Sequence, residues 1–252
     1  MAKVVLGKKG RNNILGFFTI MGKILKDKKI NFDLVIGAGD SGVAMVKLTE
    51  MVYGKLKLKM PASIIVPFFR YTKKDVPRGI KADNLTLVPW VKRKLTARKK
   101  IRRVLFVDDD IANGRTLTGV IKLLRKAKPR LFDKETTIYI VAEDRGRPLK
   151  FKLGMKIKLI PFAQKIVGVS NAISYAIPYE LELPIKEKYP DTIHGSKERM
   201  NVLLSLPVKQ MFKGIPHWSN RWQKQLSREI PKFEKLQQKF SEYLYSLMEE
   251  VI

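Results

Sequence analysis

Asp108, Asp109 and Asp110 follow the apolar run Val104–Val107 and lead into Ile111-Ala112-Asn113-Gly114-Arg115-Thr116-Leu117. Carboxylates at the end of a buried strand accept charge-assisted hydrogen bonds, and the vicinal hydroxyls of a ribose are suitable donors for Asp108 and Asp109. The residues after them suit an anion. Backbone amides at a helix start, unhindered at Gly114, can face a phosphate, and the helix dipole adds attraction. Thr116 offers a hydroxyl to the same anion and can also cap the helix. An acidic strand end that merely caps the next helix is the plainer alternative. What sets the two apart is the order of strand, acid pair, glycine loop and helix.

Asp33-Leu34-Val35-Ile36-Gly37-Ala38-Gly39-Asp40-Ser41-Gly42 repeats that design at a second strand exit. Gly37, Gly39 and Gly42 allow backbone conformations closed to other residues and expose amides that can face an anion. A glycine-rich turn between strand and helix serves close packing just as readily.

The elements that must carry these loops alternate. Leu34–Ile36, Ser63–Phe69 and Val104–Val107 read as buried strands, and Thr137–Ala142 is rich in β-branched residues. Helical patterns over Val43–Val52 and Thr116–Lys126 separate several of them, which argues for a parallel α/β sheet. In such sheets ligands sit beyond the carboxyl ends of the strands. Before the first strand, Ile14, Phe17, Phe18, Met21, Ile24 and Leu25 trace one helix face. Between Tyr71 and Arg103 lies a long polar segment with Pro77, Gly79 and Pro89, expected to be a loosely held lid. Beyond about Pro184 helices dominate, so the expected division is residues 1–184 and a mainly helical extension, 185–252. The terminal stripe Phe233, Leu236, Phe240, Tyr243, Leu247, Val251 reads as docking on the protein's own core, with a dimer seam as the alternative.

The stretch 104–117 closely resembles the binding motif for 5-phosphoribosyl-1-pyrophosphate (PRPP) in type I phosphoribosyltransferases: four apolar residues, two acids, variable positions, then a small-Gly-x-Thr loop. The resemblance implies a parallel-sheet, Rossmann-like type I phosphoribosyltransferase fold. It also implies that Asp108 and Asp109 form the catalytic, ribose-holding pair and that Ala112, Asn113, Gly114, Arg115 and Thr116 bind the 5-phosphate. Asp110 and Asn113 depart from the common pattern. The loop Ala38, Gly39, Asp40, Ser41, Gly42 is similar to the pyrophosphate loop of glutamine PRPP amidotransferases, and Arg70 falls where those enzymes carry an Arg-Tyr pair.

With no cysteine and little sequence before residue 30, a glutaminase domain is not expected. The implied reaction moves the 5-phosphoribosyl group of PRPP to a nitrogenous, nucleobase-like acceptor and releases pyrophosphate. Mg²⁺ would be held mainly by PRPP, with Asp108 and Asp109 contacting it directly or through water. Phe162 and Ile166 fall where relatives stack the base. Ala112 stands where 6-oxopurine enzymes carry an Asp, which disfavours such an acceptor. A homodimer is expected.

The chain has 252 residues, and its Lys and Arg outnumber Asp and Glu by 51 to 23, a net charge of +28. That field attracts polyanions. The alternative function is therefore a non-catalytic, PRPP-responsive regulator whose basic surface binds RNA or DNA; the run Lys92–Arg103 contributes to it. The absence of cysteine excludes disulfides and thiolate metal sites, and His194 and His217 have no ligand spacing. No apolar run reaches the ~18 residues of a membrane span, so a cytoplasmic protein without membrane contact is expected.

Overall fold

A computed structural model describes residues 8–67, 84–96, 100–149, 151, 153–164, 203, 204, 206, 211 and 233–252. Among the described residues five strands form one sheet: β1 (Leu34–Ala38), β2 (Ala62–Val66), β3 (Arg103–Ile111), β4 (Thr137–Asp144) and β5 (Lys156–Gln164). Their order is β2-β1-β3-β4-β5 and every pairing is parallel. Among the described residues five helices flank it: α1 (Lys8–Lys26), α2 (Gly39–Lys55), α3 (Asn84–Lys94), α4 (Arg115–Ala127) and α5 (Phe233–Glu249). The α/β class and the helix near the C-terminus are as the sequence pattern implies.

Side chains alternate across the sheet, as the pleat requires. Val35, Leu105, Val107, Tyr139 and Val141 pack in the layer of α1, α2 and α5. Leu34, Ile36, Val104, Phe106, Ile138 and Ile140 face the layer of α3 and α4. The predicted face of α1 is buried throughout, from Ile14 to Leu25. The C-terminal stripe docks on this same layer. Phe240, Leu244, Leu247 and Met248 are buried there, and Lys55 pairs with Glu249 at 2.9 Å.

Four expectations need correction. β1 runs to Ala38 and α2 starts at once at Gly39, so Gly39 to Gly42 are the first helical turn rather than a free loop. β3 does not end at the carboxylates. It continues through them to Ile111, with its pairing register shifting between Val107 and Asp110. β5 was not anticipated, because exposed Lys156 and Lys158 alternate with Ile157 and Leu159, the pattern of a charged strand with one neighbour.

The fourth concerns the polar segment 71–103, which is not loose throughout. Residues 84–94 form α3, and Trp90, Val91, Leu95 and Ile101 are buried in the second core layer. Burial of Val91 and Leu95, about 1.5–3 kcal/mol each, offsets the roughly 3 kcal/mol that Pro89 costs inside a helix.

Candidate functional site

From β1 the chain moves to β2 on one side, whereas β3, β4 and β5 follow one another on the other side. The direction of winding therefore reverses between β1 and β3. A crevice opens beyond the carboxyl ends of two strands at such a switch point, and ligands of open α/β sheets bind there. Both loops singled out in the sequence leave from these two strands: Ala38 to Gly42 from β1, and Asp108 to Thr116 from β3.

At the β1 exit the glycines have separable jobs. A Cβ on Gly37 would lie 2.6 Å from the Gly42 carbonyl oxygen, and one on Gly42 would lie 2.6 Å from the Gly37 carbonyl carbon. Strand end and helix start touch backbone to backbone, and no side chain fits between them. Gly39 has φ +61°, which turns the chain directly from strand into helix. Ala38 closes the strand and Asp40 lies in the first helical turn. Ser41 is buried, and its Oγ donates to Asp108 Oδ1 at 2.8 Å, with Ala38 O a longer alternative at 3.4 Å.

At the β3 exit the irregular register carries the acid pair. Asp108 is 7% exposed and Asp109 1%. Each carboxylate accepts the backbone N–H that follows it: Asp109 N–H to Asp108 Oδ1 at 3.0 Å, and Asp110 N–H to Asp109 Oδ1 at 2.9 Å. These local bonds fix the side-chain directions where the ladder is interrupted, a feature often found beside active sites. Asp110, a departure from the family pattern, forms an ion pair with Arg145 just past the end of β4. Arg145 N–H also donates to Ile111 O at 3.1 Å, so the ends of β3 and β4 are held together twice.

Ala112 and Asn113 are half-buried and Arg115 is exposed. Helix α4 is preceded by Gly114 at φ +72°, and Asn113 Oδ1 accepts Arg115 N–H at 3.2 Å. Thr116 lies in the first turn of α4. The ring of Phe151 covers Gly114: a Cβ there would fall 2.2 Å from Phe151 Cε1. Phe151 arrives on the β4–β5 connection, which shows no helix among its described residues and runs past α4, where Arg125 Nη1 donates to Leu153 O at 2.9 Å.

Asp108, Asp109 and Ser41 are thus brought together, and the loop from Ala112 to Thr116 follows directly from the acid pair. Phe162, considered for the acceptor, packs edge-on against Phe17 with centroids 5.7 Å apart in the layer beneath α1. Arg70 and Ile166 lie outside the described residues. Arg145 and Phe151 were missed by sequence reasoning. For Arg145 a signal existed, since an extra acid at position 110 in a buried strand end demands a cation. For Phe151 there was none, because a crossover without a helix has no periodicity to read. Among the described residues no group of three His, Asp or Glu is arranged to hold a metal ion. No helix among them is long and apolar enough to cross a membrane.

The chain matches no protein-family model and no curated protein sequence. Similar solved structures include the xanthine-guanine-hypoxanthine phosphoribosyltransferase of Helicobacter pylori, 15% identical over 59% of this chain and 86% of that one, with a TM-score of 0.32. A hypoxanthine phosphoribosyltransferase of Staphylococcus aureus is 16% identical over 67% of this chain and 81% of that one, with a TM-score of 0.37. A purine phosphoribosyltransferase of Pyrococcus horikoshii is 19% identical over 68% of this chain and 99% of that one, with a TM-score of 0.33. Similarity at this level carries no functional argument, so function has to follow from the chemistry of the site.

Proposed function

We propose that the crevice between β1 and β3 binds PRPP, and that the chain transfers its 5-phosphoribosyl group to a nitrogenous, nucleobase-like acceptor. The observation that carries this reading is the 2.8 Å bond from Ser41 Oγ to Asp108 Oδ1. It joins a glycine-rich strand exit to an acid-pair strand exit at the one place in the sheet where winding reverses. PRPP has a pyrophosphate, a ribose with vicinal hydroxyls and a 5-phosphate in that order. The crevice offers donors, carboxylates and a second set of donors in the same order.

In the reaction, the bond from ribose C1 to the pyrophosphate oxygen breaks and a bond from C1 to an acceptor nitrogen forms, through a state with oxocarbenium-like charge. Catalysis is then mainly positioning and electrostatics. Asp108 and Asp109 accept from the ribose hydroxyls and hold C1 in line. Ser41 and the amides of Gly39 to Gly42 hold the leaving pyrophosphate, with Arg70 assigned to the same group. The amides from Ala112 to Thr116 hold the 5-phosphate. Mg²⁺ would be carried chiefly by PRPP oxygens and water, with Asp108 and Asp109 as the residues that would hold it directly or through water, and it would supply charge neutralisation for the leaving group.

Calorimetry with PRPP and Mg²⁺ should show saturable binding well above that of ribose 5-phosphate, and pyrophosphate should be released with one member of a panel of nucleobases. If PRPP does not bind, the reading fails. If PRPP binds but no base supports turnover, the transferase part fails and a PRPP-binding regulator takes its place.

A further inference from the structure

We propose that the pole at the N-terminal ends of the strands, on the side of α3 and α4, is a docking surface for the phosphate backbone of a nucleic acid. Parallel winding gathers charge there. All five strands start at this edge, and Leu34, Ala62, Val104, Ile138 and Ile157 are linked by register. A helix that returns the chain to the start of the next strand must therefore end at the same pole. Helices α3 and α4 pack against each other. The last turn of α3 holds Lys92, Arg93 and Lys94, and that of α4 holds Arg125 and Lys126. Arg130 and Lys134 follow in the loop to β4.

Some of this charge complements the helix dipoles, for which one or two cations near each C-terminus suffice. The excess is not neutralised by nearby acids. Asp33 Oδ2 accepts Arg102 N–H at 2.7 Å and Arg103 N–H at 2.8 Å. Asp133 pairs with Lys100 at 3.3 Å and Arg102 at 3.6 Å, and Glu135 also pairs with Arg102. Lys92, Arg93, Lys94, Lys126, Arg130 and Lys134 are exposed and take part in none of the ion pairs among the described residues.

The chemistry favours a nucleic acid over a lipid surface. A membrane-seeking basic face needs apolar side chains beside its charges. Here Trp90 and Val91 of α3 and Leu117, Val120, Ile121, Leu123 and Leu124 of α4 are in the core, and the exposed large hydrophobics among the described residues, Leu58 and Tyr245, lie on neither helix. Five strands at a spacing of about 4.8 Å make this edge roughly 20 Å wide. A nucleic acid strand with a charge every ~3.4 Å can meet several of these cations at once. The nine residues of β3 put the surface about 27 Å from the PRPP crevice, so a polyanion here leaves the crevice open.

The test is fluorescence anisotropy of a labelled single-stranded RNA and a duplex DNA against salt concentration. Binding should weaken with a log–log slope of several units, and Lys94→Gln/Lys126→Gln/Arg130→Gln should lower that slope by about three, one per lost phosphate contact. A control of equal charge change on α2 and α5, Lys47→Gln/Lys235→Gln/Lys239→Gln, should change it little. PRPP calorimetry on the first triple variant should match the unaltered protein, which keeps this proposal separate from the fate of the crevice. Equal losses in both triple variants would mean diffuse attraction and overturn the assignment. So would absence of nucleic acid binding, or equally tight binding to vesicles containing phosphatidylserine.

Discussion

Ser41 Oγ donates to Asp108 Oδ1 at 2.8 Å across 67 residues of sequence, tying the first turn of α2 to the irregular end of β3. Both partners are buried, and the same Asp108 oxygen also accepts Asp109 N–H at 3.0 Å. The carboxylate is therefore aimed by two donors before any ligand contributes. A shift of α2 along the sheet would be felt at Asp108, so the start of α2 and the acid pair are positioned as one unit.

Ser41→Ala should weaken PRPP binding by about tenfold, because the loss of one hydrogen bond to a charged group costs roughly 1.5–3 kcal/mol and part of that is felt in the unbound protein as well. Asp108→Asn/Asp109→Asn should cost much more, about 1.5–3 kcal/mol for each lost charge-assisted contact. Calorimetry on the three proteins orders these effects. Unchanged affinity in the double variant would remove the ribose-grip assignment.

Two glycines of α2 should respond with opposite signs. A Cβ at Gly42 would lie 2.6 Å from backbone carbon of Gly37, whereas at Gly54 it would meet nothing within 4 Å. Gly42→Ala should destabilise by about 3 kcal/mol or more, since overlap with backbone cannot be relieved by a rotamer change. Gly54→Ala should stabilise by roughly 0.5–1 kcal/mol through helix propensity. Urea midpoints measure both. If the two variants have similar midpoints, Gly42 is not a packing residue.

The parallel sheet, its alternation with helices and the buried face of α1 were legible because apolar periodicity is a local property. The acid pair and both glycine-containing strand exits were legible as residues but not as geometry. Nothing in the order Val107-Asp108-Asp109-Asp110 says that the strand continues to Ile111, because that depends on where β4 offers its partners. Likewise Pro89 and the surrounding charges argue against a helix, yet Trp90, Val91 and Leu95 complete a core layer whose other members are far away in sequence. Where long-range packing outweighs local preference, one sequence read residue by residue has no access to the answer.

Tyr53, buried in the last turn of α2, has its phenol pushed up from 10.0 to about 12 by desolvation. A raised folded value means that the neutral phenol is favoured by folding. Its contribution is complete below pH 10, where the unfolded chain also keeps the proton, and is lost as pH rises toward 12. Stability should therefore fall across that interval in excess of what Tyr53→Phe shows. Denaturation midpoints at several alkaline pH values, compared between the two proteins, test it; parallel curves would mean that the Tyr53 phenol is not shielded.

Asp110 and Arg145 should behave as a coupled pair. Their side chains are 19% and 30% exposed, so water screens them only in part. Removing one partner leaves the other charge at the C-terminal edge of the sheet, next to the buried Asp109. Arg145→Gln should be the more damaging variant, at about 1–3 kcal/mol, between the ranges for exposed and buried pairs. It uncovers a third carboxylate beside the crevice proposed to hold PRPP, so PRPP affinity should fall along with stability. Asp110→Asn leaves the cation, which favours that ligand, so affinity should hold or rise while stability drops. Asp110→Asn/Arg145→Gln removes both charges and should recover most of the affinity lost in Arg145→Gln. A thermodynamic cycle over the four proteins, in PRPP affinity and in stability, separates these roles. If the double variant binds PRPP as poorly as Arg145→Gln, the arginine acts on the ligand directly rather than by neutralising Asp110.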